Sequence, residues 1–376
     1  MKFSLIQPQS VDDAFRAAWR RLEKRAAHPA NPFFSSWFLE PALRLAEPGA
    51  VRLLAAQDDA GELVSLAAVE RSETYAKLPV RHFAFWRHRH AYNSAPLIAE
   101  GRSEAYHDGL CAWIDTRPEG ARFLRFNEHP VPPGSPLSRA PEDRAVVVDR
   151  RWRRACLAGG EEFEAAYARG YDGKKRKELR RQWKRLGEQG ALRFVRWTEP
   201  ADVAAAAEAF LALEQRGWKG RDEDGTPLAA TPSEAAFFRA AMTAGAADGA
   251  VVVDAALLDG APVAMLFSLR AGRTLSAYKI AFDETFAAYS PGVQLLVEAM
   301  RLMLADPAIG LFDSCAREGH PVVDSLWRDR LELAQINISS SRRVDRALLR
   351  TGAMLAAVNG KLTERRTIGR LKGGQP

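Results

Sequence analysis

Three β-like runs follow one another with almost no chain between them: Ala250 to Leu257, Pro262 to Arg270 and Arg273 to Ala281, parted only by the turn signals Asp259-Gly260 and Ala271-Gly272. Strands so close in sequence pair with their neighbours as an antiparallel meander, which needs helices to cover it. The flanking segments supply them. A strand at about 191 to 197, a helix at about 201 to 216 and another from about 233 come before the meander, on the period of their apolar residues. After it, Tyr289-Ser-Pro-Gly opens a helix that Asp306-Pro307 ends near Ala305. A short strand Gly310 to Ser314, a helical turn near 321 to 329 and a strand at 332 to 338 complete the unit. The order is β, α, α, β, β, β, α, β, α, β.

The first half repeats this order less clearly. A strand at 3 to 7, a helix at 11 to 26 capped by Ser10 and a second helix from Ser36 lead to a hairpin joining Val51 to Gln57 with Glu62 to Glu70. A strand His82 to Trp86, a helix at about 103 to 116 and strands Arg122 to Phe126 and Ala145 to Asp149 follow. Two matching orders in one chain imply duplication of a fold. With 376 residues, 47% of them hydrophobic, the chain can fill two cores. The expected class is α/β (α+β), with two tandem domains at 1–150 and 151–340. Each is a mixed, mostly antiparallel central sheet flanked by helices, and a basic amphipathic tail occupies 341–376. Pro130 to Pro141, rich in Pro, Gly and Ser, reads as a surface loop.

Charge is concentrated. The net charge is +7, and the stretch from Ser341 to Pro376 alone holds nine basic and two acidic residues, so the rest is formally neutral. A second run, Gly173 to Arg185, sets eight cations against one glutamate. These two stretches point to anionic partners. In the tail, cations flank the short apolar stretch Ala353 to Val358, a pattern suited to lying on an anionic membrane surface. A nucleic-acid partner is disfavoured, because such surfaces carry broad positive charge and the chain outside the tail is neutral. Cys111, Cys156 and Cys315 are odd in number and widely spaced, which suits neither a disulfide framework nor a metal site, so no metal is expected. No run reaches the roughly 18 apolar residues of a spanning helix. A cytoplasmic protein, peripheral on the inner face of the membrane, is the expected localisation.

Candidate chemistry gathers after the meander. Ser290 at the N-cap, Pro291 at the first helical position and Gly292 beside it suit an anion at the positive end of a helix, with Val293 and Gln294 completing the first turn. A good helix start needs nothing more, so the motif is equally a structural one. Asp313 closes the next strand, and His320 lies just beyond. Either can take a proton from an amine, and each has a plainer reading as a turn or cap residue. Cys315 reads as a small packed residue rather than a nucleophile. Tyr278 and Lys279 sit on the third meander strand, where alternation would send one into a cleft and one away. A tyrosine there, or Tyr289, could protonate a leaving group, and a lysine could stabilise an oxyanion. Trp218 and Lys219 lie in a long polar connection and are candidates for acceptor contact, or for anchoring that loop. Arg176 and Arg180 of the basic helix are further substrate candidates, although a solvated face is the commonest explanation of such a run.

Several stretches resemble one family. Asn31 to Leu39, the basic helix 174 to 185, Arg216-Gly-Trp-Lys-Gly, Ala287 to Leu296, Phe312 to Ala316 and His320 to Trp327 look like the CelD-like acetyltransferases of the GNAT superfamily, over about 31 to 338. Tyr289-Ser-Pro-Gly stands where ordinary GNAT enzymes have a glycine-rich Gln/Arg-x-x-Gly-x-Gly/Ala loop. Bacterial ceramide synthases resemble the same group, as more distantly do Fem-type enzymes, similar tandem proteins that use aminoacyl-tRNA. The resemblance implies an acyl-CoA-dependent N-acyltransferase acting on an amine of an envelope lipid or sugar precursor, a sphingoid-type amine among them. It puts donor phosphates at the 290–294 helix start. The N-terminal half, lacking a comparable motif near Gly101 to Ser103, is expected to be non-catalytic and to wall the acceptor site. The rival readings are a Fem-like aminoacyl-tRNA-dependent transferase and a non-catalytic membrane-surface adaptor.

Overall fold

A computed structural model describes residues 1–131, 143–217 and 227–372, with those from 359 onward described by their backbone alone. The chain opens with β1 (Lys2–Ile6), α1 (Asp13–Lys24) and α2 (Ser36–Leu43). It continues through β2 (Val51–Gln57), β3 (Leu63–Ser72), β4 (His82–Phe85), β5 (Leu97–Ile98), α3 (Ser103–Asp115) and β6 (Phe123–Pro130). Next come β7 (Val146–Ala158), α4 (Phe163–Gly170), α5 (Gly173–Gly187), β8 (Leu192–Trp197), α6 (Pro200–Arg216) and α7 (Pro232–Ala247). The meander β9 (Val251–Leu258), β10 (Ala261–Ala271) and β11 (Thr274–Phe282) leads through a 3-10 turn at Glu284–Tyr289 into α8 (Pro291–Leu304). The chain ends with β12 (Leu311–Asp313), α9 (Val323–Leu326), β13 (Asp329–Ser339) and α10 (Arg343–Lys372).

Two compact units form, and neither is contiguous in sequence. One gathers Met1–Ser10, Pro48–Arg151 and Leu333–Pro376, and the other Val11–Glu47 and Trp152–Glu332. This differs from expected breaks at 150 and 340. The reason lies in α2, which buries Trp37, Phe38, Leu39 and Ala42 and has no polar face to leave in water. A Cβ on Gly245 of α7 would stand 2.7 Å from the Trp37 ring, and Phe38 packs edge-on against Phe237 at 5.3 Å. Apolar complementarity, not chain proximity, therefore assigns α1 and α2 to the unit containing α7.

In the first unit the strands run β1-β2-β3-β4-β6-β13, with β4 and β6 parallel and the rest antiparallel. In the second unit, a run β8-β9-β10-β11-β12-β7 has the same pattern, with β11 and β12 the parallel pair. In each, the helix between the parallel strands, α3 or α8, is the crossover such a pair requires. The α/β class with mostly antiparallel sheets flanked by helices, and the repetition of one strand order, are thus observed.

Local differences have local causes. Asp12, not Ser10, caps α1, its Oδ1 accepting from the Phe15 N–H at 2.7 Å, while Ser10 ends a 3-10 turn. β7 continues well past Asp149, to Ala158. The tail is a helix whose start belongs to the first unit. Leu349 is buried, and the Asp345 carboxylate accepts from Arg122 at 2.7 Å, Arg117 at 3.2 Å and the Ser340 hydroxyl at 2.6 Å.

Candidate active site

The parallel ladder of β11 and β12 contains three pairs, Thr274 with Leu311, Leu275 with Phe312 and Ser276 with Asp313, and stops there. β12 ends at Asp313, whereas β11 continues to Phe282. The carboxyl ends of the two parallel strands part at this point, the place where open sheets hold ligands. Just beyond, the register of β11 on β10 slips. Phe267 pairs with Lys279 but Ser268 pairs with Ala277, which makes Tyr278 the extra residue of a β-bulge.

The bulge cancels the alternation expected of Tyr278 and Lys279. The Lys279 ammonium lies 5.5 Å from the centroid of the Tyr278 ring, and that ring is buried against Phe33, Phe38 and Phe238. Tyr289 is more accessible. Gln189 Nε2 donates to its hydroxyl oxygen at 2.5 Å, which leaves the phenolic hydrogen to be donated elsewhere.

The start of α8 is more closed than the Ser-Pro-Gly motif suggests. Ser290 has φ 54° and ψ 48°, in the left-handed region, and its side chain makes no cap bond. Its carbonyl accepts from both the Val293 and Gln294 N–H groups at 3.0 Å. Because Pro291 has no N–H, Gly292 supplies the one amide at this helix start without a protein acceptor among the described residues. A Cβ at Gly292 would stand 3.3 Å from the Phe282 ring, so the position also permits close packing. Val293 packs on the core, and Gln294 Nε2 donates to the Leu179 carbonyl of α5 at 2.6 Å. Gln294 is thus a tie between two helices.

Asp313 is 4% exposed, and both of its oxygens have protein partners. Oδ2 accepts from Arg154 Nη1 at 3.0 Å, and Oδ1 accepts from the Cys315 N–H at 3.0 Å. Arg154, on β7, is itself 1% exposed. The pair fixes the end of β12 and the turn through Cys315, whose φ is 54°. His320 Nδ1 accepts from the Val323 N–H at 3.3 Å at the start of α9. Burial lowers its pKa below the usual histidine value, which favours the neutral ring that such a cap requires. Burial pushes the Cys156 thiol up to about 12, so this cysteine is inert at neutral pH.

On α5, Lys175 pairs with Glu178 at 3.3 Å and Arg176 with Glu164 at 3.9 Å, and the Arg176 guanidinium lies 5.8 Å from the Tyr167 ring centroid. Among the described residues no carboxylate reaches Lys174, Lys177, Arg180, Arg181, Lys184 or Arg185 within ion-pair distance. Gln182 Nε2 donates to the Ala288 carbonyl at 3.1 Å and ties this helix to the loop before α8. Trp218 and Lys219 lie outside the described residues. Sequence reasoning did not single out Arg154 or the two glutamines 182 and 189. An arginine inside an otherwise apolar strand end, Ala155-Cys-Leu, was the available signal for Arg154.

Residues 173–321 match the acetyltransferase (GNAT) domain family. By this match the protein is a transferase. No curated protein matches the chain by sequence. Among solved structures the chain is similar to a conserved protein of unknown function from Bacteroides thetaiotaomicron, at 12% identity over 88% of this chain and 99% of that one, with TM-score 0.56. It is similar to FemX at 10% identity, over 90% of this chain and 97% of that one, with TM-score 0.54. It is also similar to the C-terminal domain of a putative lysylphosphatidylglycerol synthetase from Agrobacterium fabrum, at 12% identity over 90% and 95% of the two chains, with TM-score 0.51. At these identities the likeness is one of fold. No helix among the described residues is long and apolar enough to cross a membrane.

Proposed function

We propose that the protein is an acyl-CoA-dependent N-acyltransferase whose acceptor is an amine of an envelope lipid or sugar precursor. The observation that carries this reading is the parting of β11 and β12 beyond Ser276 and Asp313, in the same domain as the start of α8 with its open Gly292 amide. A thioester entering between the strand ends can direct its donor phosphates toward the positive end of α8. The amine lone pair attacks the thioester carbonyl carbon, the C–S bond breaks, the nitrogen loses a proton and the CoA thiolate gains one. Beside the Tyr278 bulge the Lys279 ammonium stabilises the oxyanion. Tyr289 protonates the thiolate. Asp313 acts as a positioning residue through Arg154 and Cys315, and His320 holds the start of α9.

A lipid-linked acceptor is supported by the likeness in fold to the C-terminal domain of a putative lysylphosphatidylglycerol synthetase. It is supported too by the exposed Val344, Met354, Leu355 and Val358 of α10, whose stretch also carries most of the net charge. A second reading, aminoacyl-tRNA as donor, is favoured by the six cations of α5 that have no carboxylate partner among the described residues. Binding of acetyl-CoA, a long-chain acyl-CoA and charged tRNA to the full chain at physiological salt separates the two. Saturable binding of an acyl-CoA, with CoA thiol released on adding a long-chain amine, is expected. Retention of tRNA with no CoA binding would transfer the donor role to tRNA.

A further inference from the structure

We propose that a groove between α5 and α8 holds the nucleotide end of the CoA donor, with Arg180 and Lys184 binding its 3′-phosphate. This inference rests on the acyl-CoA reading above. One open amide at Gly292 cannot balance a pyrophosphate and a further phosphate of about −1.5 to −2 charge at pH 7. Other donors must supply the difference, and α5 brings them. Arg180, Trp183 and Lys184 of α5, with Phe194 of β8 and Val297 and Glu298 of α8, line an open groove of about 200 Å³.

Both cations are exposed and have no carboxylate partner among the described residues. Glu298 does not cancel them, because Arg301 holds it by two hydrogen bonds of 2.5 and 2.9 Å. Trp183 and Phe194 stack at 4.1 Å with 5° between their planes and give the groove an aromatic side against which a purine can pack. The two cations, at i and i+4, share one face of α5 and one rim of the groove. From Gly292 to Val297 the helix rises about 7.5 Å, so a donor whose pyrophosphate meets the helix start needs one ribose and its base to reach the groove. Gln182 and Gln294 fix α5 in place through the Ala288 and Leu179 carbonyls, so the cations stand on a rigid element. Side-chain cations on a helix outside the meander core thereby take over phosphate binding that a loop of free amides would otherwise perform.

The test measures binding of CoA and dephospho-CoA, which lacks the 3′-phosphate, to the full chain by calorimetry. The parent is expected to prefer CoA by about tenfold or more. Arg180→Gln/Lys184→Gln should bind CoA as weakly as dephospho-CoA, with an unchanged thermal midpoint. Arg181→Gln/Arg185→Gln, an equal loss of charge outside the groove, should keep the parent preference. If the Arg180/Lys184 variant keeps that preference, the groove assignment fails while the acyl-CoA reading stands. If both double variants lose it alike, general charge and not the groove is responsible, and the assignment fails. If the parent binds no CoA at all, the acyl-CoA reading fails and the groove assignment with it.

Discussion

A carboxylate at the end of a strand can serve as a base or hold the strand in place, and for Asp313 the decision rests with Arg154. Two ionised groups this deeply buried are each costly alone and tolerable together. Removing one partner should destabilise the fold by about 3–5 kcal/mol, because the other remains buried and unpaired. Arg154→Met and Asp313→Asn are therefore expected to lower the urea midpoint strongly, whereas Arg154→Met/Asp313→Leu should recover most of the loss. As a positioning residue, Asp313 should affect turnover without reshaping its pH dependence. Loss of one limb of the pH–rate profile in Asp313→Asn would instead make it a proton acceptor. The sequence identified Asp313 but not its partner, since the two are brought together only by the pairing of β12 with β7.

At the scale of elements, α10 unites two roles that the sequence presented as one basic tail. Its first turns are structural, through Asp345, Leu349 and the close approach of Gly352 to Tyr75, where a Cβ would stand 2.6 Å from the ring. A chain ending at Ser341 should thus lose stability in the first unit, seen as a drop of several degrees in thermal midpoint. A chain ending at Val358 should keep the parent midpoint. It also loses Lys361, Arg365, Arg366, Arg370 and Lys372, each worth about 1 kcal/mol at an anionic leaflet. Its sedimentation with phosphatidylglycerol vesicles should fall accordingly, and unchanged sedimentation would exclude this end of the helix as the anchor. Elements with strong period or clear turn signals, such as the meander and α6 to α8, were legible in advance. The extension of β7 was not, because the four arginines between 150 and 154 hide a strand whose pairing is supplied from far along the chain.

For the whole molecule, pH stability should be set in part by histidines buried without charge. Burial lowers His82 to about 4 and His129 to about 3; His82 stacks on Phe123 at 4.3 Å. Both folded values lie below the unfolded value near 6.5, so the unfolded chain takes up protons first. Stability is therefore full above about pH 6.5 and is lost progressively as pH falls toward 4. The loss should be on the order of 1–3 kcal/mol for each group. Urea unfolding at pH 7.5 and 5.0 checks this, and His82→Asn/His129→Gln should flatten the difference.

The sequence by itself determined the class of fold, the meander, the crossover helix α8 and the concentration of charge in α5 and α10. These follow from periodicity, turn residues and composition, which act over a few neighbours. Only the tertiary structure decided that Val11–Glu47 belongs with Trp152–Glu332 and that a bulge sets Tyr278 and Lys279. It alone showed that Asp313 is held by Arg154, and that Ser290 closes amides its motif seemed to leave open. Each of these depends on which distant surfaces fit and which buried polar groups find partners, and no local pattern of residues encodes that choice.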